Sequence, residues 1–189
     1  FIEADHLPLD ASSAVVILDG RQLEEDWIAG LQIVNSSGNQ IMGLQVTNFT
    51  GPGIGISGDS TENIIGGDRN MGDGPWGQGN LLVNNNQGIN IALSGSTNNT
   101  VTGNLIGVDL AGTEWLGNED FGIQIGEGAQ ENIVGPDNII AFNGRDGVYI
   151  DPPYNEDNTV TQNIIYDNGI GIGWPAPPVI AMFDLDQGT

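Results

Sequence analysis

An all-β parallel solenoid is the fold class this sequence predicts, and three observations predict it. Short words recur along the chain, each word alternates apolar with other residues, and the composition supplies turns rather than helices. The first word, Gly-apolar-x-apolar, stands as GLQI at 30, GIGI at 53, GINI at 88, GIQI at 122, GVYI at 147 and GIGI at 169. A second, Asn-x-apolar, pairs Asn39 with Ile41, Asn63 with Ile65, Asn99 with Val101, Asn132 with Val134 and Asn158 with Val160. A third, Asn-apolar-apolar, begins at Asn80, Asn104, Asn138 and Asn163, while the first coil carries Leu44 and Val46 without an Asn. The intervals between first words are 23, 35, 34, 25 and 22 residues, a basic period of 22–25 with two longer steps.

Alternation over three to five positions is the period-two mark of a half-buried strand. The Gly or Asn that starts each word suits a turn needing positive φ. Three short strands per period make one rung of a solenoid. A lone rung cannot bury its Ile, Leu and Val, but rungs stacked about 4.8 Å apart pair every strand above and below. Five to six rungs would form a rod of about 25–30 Å from that spacing. Equivalent interior residues should then form ladders, with Ile54, Ile89, Ile123, Val148 and Ile170 as one. The turn asparagines should stack likewise, amide on amide. With 30 Gly, 9 Pro, 6% aromatic and 15% charged residues, the composition agrees.

Taken in chain order, residues 1–189 read as one β-helix domain. Val-Val-Ile-Leu-Asp-Gly at 15–20 supplies the first strand, regular rungs run over 15–172, and two insertions occupy 66–79 and 108–120. Beyond 172 the period stops, and 173–189 is an irregular segment whose prolines cannot continue a ladder. No amphipathic helix is expected ahead of the first strand. Uncapped ends leave open strand edges. The chain is therefore expected to be a piece of a larger protein, with end-to-end self-association as the alternative.

Charge narrows the partners. The formal net charge is -22, with no Lys and only Arg21, Arg69 and Arg145 as cationic side chains besides His6. So acidic a surface repels nucleic acid and anionic membranes and attracts divalent cations. No stretch approaches the roughly 18 apolar residues of a membrane span, so no membrane insertion is expected. With no Cys, disulfides and thiolate metal sites are excluded.

The run Asn104-Leu-Ile-Gly-Val-Asp-Leu-Ala-Gly-Thr-Glu-Trp-Leu-Gly-Asn118, followed by GIQI, resembles the repeat of the right-handed parallel β-helix proteins. These form the pectate-lyase-like superfamily, and the likeness is strongest to its bacterial secreted and surface members. The resemblance implies a single-stranded right-handed parallel β-helix and an extracellular or cell-surface setting. Activity is not implied, because the superfamily holds lyases, hydrolases, epimerases, adhesins and inert scaffolds.

Loops projecting from a rigid rod commonly carry function. The first insertion holds Asp68, Asp73 and Trp76, and the second Asp109, Glu114, Trp115, Glu119 and Asp120. Trp76, Trp115 and the outward Tyr149 are the candidate carbohydrate contacts, since an aromatic ring can stack on a sugar beside carboxylates that hold its hydroxyls. Either Trp can instead plug its loop against the rod. The recurrence of Gly-Thr-Glu-Trp-Leu-Gly-Asn in the resembling family leans Trp115 toward the plug. Asp68, Asp73, Asp109 and Asp120 are the candidate ligands for calcium, the cofactor such acidic loops would take.

The catalytic branches of the superfamily fit poorly. The hydrolases need His and Lys words, and here the sole His is His6. The lyases use Arg or Lys as base with calcium on the substrate carboxylate. Arg145 as base with Asp146 and Asp151 is the one set that fits, although an Arg beside an Asp in a Gly-flanked turn is usually a solvated ion pair. Epimerases place His near Tyr and Asp, and Tyr149 has no such His. The ranks begun by Thr100-Val-Thr102 and Thr159-Val-Thr161 are broken by Ile133 and Gly135, against ice binding. Two functions remain. One is a noncatalytic extracellular or surface module, a rigid scaffold or adhesion element binding glycan or calcium; the alternative is a calcium-dependent polysaccharide lyase or related carbohydrate-active domain. The absence of Lys and of a His within the rungs favours the first.

Overall fold

The computed structural model describes residues 2–3, 16–72, 75–152 and 157–173. Among these there is no helix. The chain opens with β1 (Ile2–Glu3) and β2 (Val16–Asp19) and then winds in coils of three strands. The first coil is β3 (Leu31–Val34), β4 (Gln40–Ile41) and β5 (Leu44–Thr47); the second is β6 (Pro52–Ser57), β7 (Ile64–Gly66) and β8 (Leu81–Val83). The third is β9 (Gln87–Ala92), β10 (Thr100–Thr102) and β11 (Leu105–Ile106); the fourth is β12 (Ile123–Gly126), β13 (Ile133–Val134) and β14 (Ile139–Ala141). The fifth is β15 (Asp146–Ile150), β16 (Thr159–Val160) and β17 (Ile164–Tyr166), and β18 (Ile170–Gly173) begins a sixth.

Each strand pairs with its equivalent one coil away. Sheet 1 runs β1-β2-β5-β8-β11-β14-β17, sheet 2 runs β18-β15-β12-β9-β6-β3, and sheet 3 runs β16-β13-β10-β7-β4. All these pairings are parallel except that of β1, which lies antiparallel on β2. Three parallel sheets wound by one chain are a parallel β-helix, the architecture the three words predict.

The core fills the tube as ladders of branched aliphatics. Ile54, Ile89, Ile123 and Val148 are in register along sheet 2 and wholly buried. Val46, Leu82, Ile106 and Ile140 do the same on sheet 1, as do Ile65, Val101 and Val134 on sheet 3. One ladder differs from expectation: Val148 pairs with Ile172, not Ile170, so the last interval is 24 residues rather than 22. Gly169-Ile-Gly-Ile-Gly173 fits a period-two pattern in either of two registers. Asn168 takes the place of Asn143 one coil on, and the turn that follows it is one residue shorter, so that Asp146 falls opposite Ile170.

Three asparagine ladders brace the corners. Asn39, Asn63, Asn99, Asn132 and Asn158 form one, each donating Nδ2–H to the Oδ1 of the next. Asn80, Asn104, Asn138 and Asn163 form the second. Asn85, Asn118, Asn143 and Asn168 form a third, at the corner between sheets 1 and 2, which the recurring words do not mark. Within the ladders Oδ1 also accepts the backbone N–H of the Asn one coil back, as Asn99 does from Asn63 at 3.0 Å. The positive φ expected at the word starts sits one residue earlier in the second word and, except at Gly79, in the third, while the Gly that starts the first word does not use it. Glu62, Asn98 and Glu131 have φ of 57°, 57° and 56°, and the Asn that follows each then points into the corner. Such a conformation costs a non-glycine residue about 1–2 kcal/mol, and the buried hydrogen bonds of the Asn offset it.

The long connections leave between β7 and β8 and between β11 and β12, and both fold over the outside of sheet 1. Trp76, Leu81, Val83, Leu105, Val108 and Ala141 form a second buried cluster there. Sheet 1 is therefore covered on both faces in its middle, while among the described residues sheet 2 keeps its outer face open. The segments 4–15 and 174–189, with the calls on an absent leading helix, on His6 and on the irregular C-terminal stretch, lie outside the described residues.

Candidate functional site

Along sheet 2 the outward residue of each first word forms a row in register: Gln32, Gly55, Asn90, Gln124 and Tyr149. This is the x of Gly-apolar-x-apolar, and it is polar or small in every coil. Beside the row the outward positions are small, Ala92 opposite Gly126. The result is a groove of about 420 Å³ between Trp27 and Pro52 on one side and Glu127 on the other, floored by Ala92 and Gly126.

The amides in the groove bind one another. Gln87 Nε2 donates to Gln124 Oε1 at 2.7 Å, and Asn90 Nδ2 donates to both Gln87 Oε1 at 3.0 Å and Gln124 Oε1 at 3.2 Å. Gln32 Nε2 donates to Ser57 Oγ at 3.1 Å. Asn90 Oδ1 and Gln124 Nε2 make no hydrogen bond among the described residues, so the network presents one acceptor and one donor, already oriented. That pairing suits hydroxyl groups, which both give and take hydrogen bonds.

At the C-terminal end of the same sheet lie the residues proposed from sequence as catalytic. Arg145 Nη1 donates to Asp120 Oδ1 at 3.2 Å, and its guanidinium carbon sits 4.7 Å from the centre of the Phe121 ring. Phe121 in turn stacks on Tyr149 at 4.7 Å with the rings 7° apart. The Tyr149 hydroxyl donates to Asp151 Oδ1 at 3.4 Å, and burial, then the Asp151 charge, pushes its phenol above the ordinary range. Asp146, 4% exposed, has no hydrogen-bond partner for Oδ1, and burial lifts its carboxyl above the usual carboxylate range while Arg145 pulls against that. Arg145, Asp146, Asp151 and Tyr149 thus share one neighbourhood. In it Arg145 pairs with a carboxylate and lies over an aromatic face.

The loop candidates are placed apart. Asp68 Oδ1 accepts from the N–H and Nδ2 of Asn70, closing a local turn. Asp109 accepts the backbone N–H of Glu114 at 2.8 Å, of Thr113 at 2.6 Å and of Ala111 at 3.2 Å, which hold its carboxyl below the usual range. Asp120 holds Arg145, and Asp73 lies outside the described residues. Among the described residues no three acidic or His side chains converge as a metal cage.

The two tryptophans take opposite roles, one of them against the lean of the sequence. Trp76, open between plug and platform, is the plug, 6% exposed in the second cluster. Trp115, leaning toward the plug, stands 82% exposed, stacked on Phe142 at 5.7 Å, which meets Tyr166 edge-on at 5.5 Å. An antiparallel bridge from Val108 to Trp115 and the Asp109 hydrogen bonds stiffen its loop. Trp27, the groove wall, was not singled out from sequence; a lone Trp in an acidic turn before the first coil carries no spacing signal. Comparison with known proteins finds no family profile and no curated protein that matches this chain.

Proposed function

We propose that this chain is a noncatalytic extracellular or cell-surface β-helix module, a rigid scaffold or adhesion element that holds glycan on the outer face of sheet 2. One observation carries the reading: a groove paved by in-register amides, with an unspent acceptor on Asn90 and an unspent donor on Gln124. Polar groups preset in a concave, partly aromatic surface are what a sugar site needs. The likeness to the pectate-lyase-like superfamily is, in this reading, one of architecture rather than activity.

The lyase alternative would require Arg145 to face the substrate as the base, whereas here it pairs with Asp120 and lies over Phe121. The deciding experiment incubates the protein with acidic and neutral polysaccharides, with and without calcium, following retention and new unsaturated or reducing ends together. Retention without products, weakened in Gln124→Ala, is expected. Products that vanish in Arg145→Ala would replace this reading with the lyase.

A further inference from the structure

The groove narrows the ligand beyond glycan in general, an inference that rests on the reading above. It crosses four strands, from Gln32 in β3 through Pro52 in β6 and Asn90 in β9 to Gln124 in β12. Three rung spacings make that about 14 Å along the rod axis. A ligand filling it must be extended and lie across the strands.

Its N-terminal wall is held at some cost. Trp27 is 60% exposed with φ of 60°, a left-handed conformation that is an outlier for so bulky a residue. The turn is pinned to the second coil: Ile28 N–H donates to Thr50 Oγ1 at 3.0 Å, that hydroxyl donates to Glu25 O at 2.9 Å, and Gly51 N–H donates to Ile28 O at 2.9 Å. An exposed Trp in a left-handed conformation, in a turn whose flanking backbone is held by three hydrogen bonds, points to function beside a groove. It offers a face for a sugar ring.

The charges in and beside the groove set the sign. Glu127 lines it, no Arg, Lys or His is among its lining residues, and Asp151 extends the outward positions one coil on, where the exposed Arg145 already pairs with Asp120 and lies over Phe121. A uronate chain would meet a carboxylate and no cation within the groove, whereas hydroxyls find the Asn90 acceptor and the Gln124 donor. We propose that the groove binds an uncharged polysaccharide segment, extended parallel to the rod axis, with one ring stacked on Trp27 and hydroxyls held by Asn90 and Gln124.

The test is calorimetric titration with neutral oligosaccharides (β-glucan, mannan and xylan series) and with oligogalacturonates, each at increasing length and with and without calcium. Affinity for a neutral series should rise with length until the chain reaches from Trp27 to Gln124, then level off. Trp27→Gly, which keeps the left-handed backbone free of strain, should weaken it about tenfold, an expected loss of one stacked ring. Trp27→Tyr should recover most of the affinity, separating stacking from folding. Binding of oligogalacturonates alone would overturn this inference and leave the glycan reading standing. Neutral binding that ignores Trp27→Gly but is lost in Trp115→Ala would also overturn it, moving the site to the loop. No binding by any series sinks both.

Discussion

Asn99 sits in the middle of the longest asparagine ladder, and replacing it with Leu removes four hydrogen bonds without a large change of volume. Its Oδ1 accepts the Asn63 backbone N–H at 3.0 Å and Asn63 Nδ2–H at 2.8 Å; its Nδ2 donates to Asn132 Oδ1 at 2.9 Å and to Ser60 O at 3.0 Å. The two acceptors have other donors, since Asn132 Oδ1 keeps the Asn99 backbone N–H and Ser60 O keeps the Thr97 N–H. The Asn63 backbone N–H and one of its two Nδ2 hydrogens are left buried and unpaired, the other hydrogen keeping Ser36 O. At about 1–3 kcal/mol for each orphaned donor the loss is about 2–6 kcal/mol. At about 2–4 °C per kcal/mol for a chain of this size, Tm should fall by about 4–24 °C. Asn39 heads the ladder, is only half-buried, and receives no Asn from a preceding coil among the described residues, so Asn39→Leu should cost about 1 kcal/mol. Thermal unfolding followed by circular dichroism, at one salt concentration, measures both. Equal losses at the two positions, or a change under about 2 °C at Asn99, would refute the ladder argument.

Three further outcomes follow from the geometry. Gly107 and Gly38 both have positive φ, 79° and 69°, but the Ala141 carbonyl oxygen occupies the place of a Gly107 Cβ while nothing lies within 4 Å at Gly38. Gly38→Ala should therefore cost about 1 kcal/mol and Gly107→Ala about 3 kcal/mol or more, read as denaturation midpoints or loss of soluble protein. Because the Asp146 carboxyl is raised by burial, its contribution is fully present below the ordinary carboxylate value and lost as pH rises through the folded one. The Tm of Asp146→Asn relative to wild type should shift in favour of the variant between about pH 4 and pH 7; a pH-independent difference would contradict this. Asp109 is lowered by its backbone hydrogen bonds, so its hold on the second loop persists above the ordinary value and fails only as pH falls below it. Trp115 emission, isolated by subtracting a Trp115→Phe spectrum, should stay constant down to about pH 4, and Asp109→Ala should red-shift or broaden it at neutral pH.

The coil was legible because its repeat is enforced by burial: an inward Ile or Val at each word leaves a mark every period. The third asparagine ladder was not, since Asn85, Asn118, Asn143 and Asn168 are followed by varied residues as the chain leaves the corner, and no fixed word forms around them. The groove was half legible. Tyr149 was read as outward, yet Gln32, Asn90 and Gln124 stood in plain view as the x of the first word, where attention to the apolar flanks hid a polar column. The orientation of the tryptophans was not legible for a different reason. Whether a loop aromatic turns in or out depends on what the adjacent coil exposes, and Leu81, Val83 and Leu105 offered Trp76 an apolar seat that Phe142 and Tyr166 did not offer Trp115. The last register, Ile172 for Ile170, was ambiguous in a run of alternating Gly and Ile, and only the strand pairing resolves it.

The asparagine ladders also have a direction. Every link runs the same way, with the donor in one coil and its Oδ1 acceptor in the coil that follows in sequence. A ribosome delivers the donors first. While a coil is the newest to emerge, one Nδ2 proton of a corner Asn already binds a carbonyl of the coil before, as Asn99 binds Ser60 O, while its other Nδ2 proton and its backbone N–H are satisfied only when the next turn is laid down. Each turn is thus sealed by its successor, so the rod is built to be wound from its N-terminal end, and the growing tip is at every moment its least finished part.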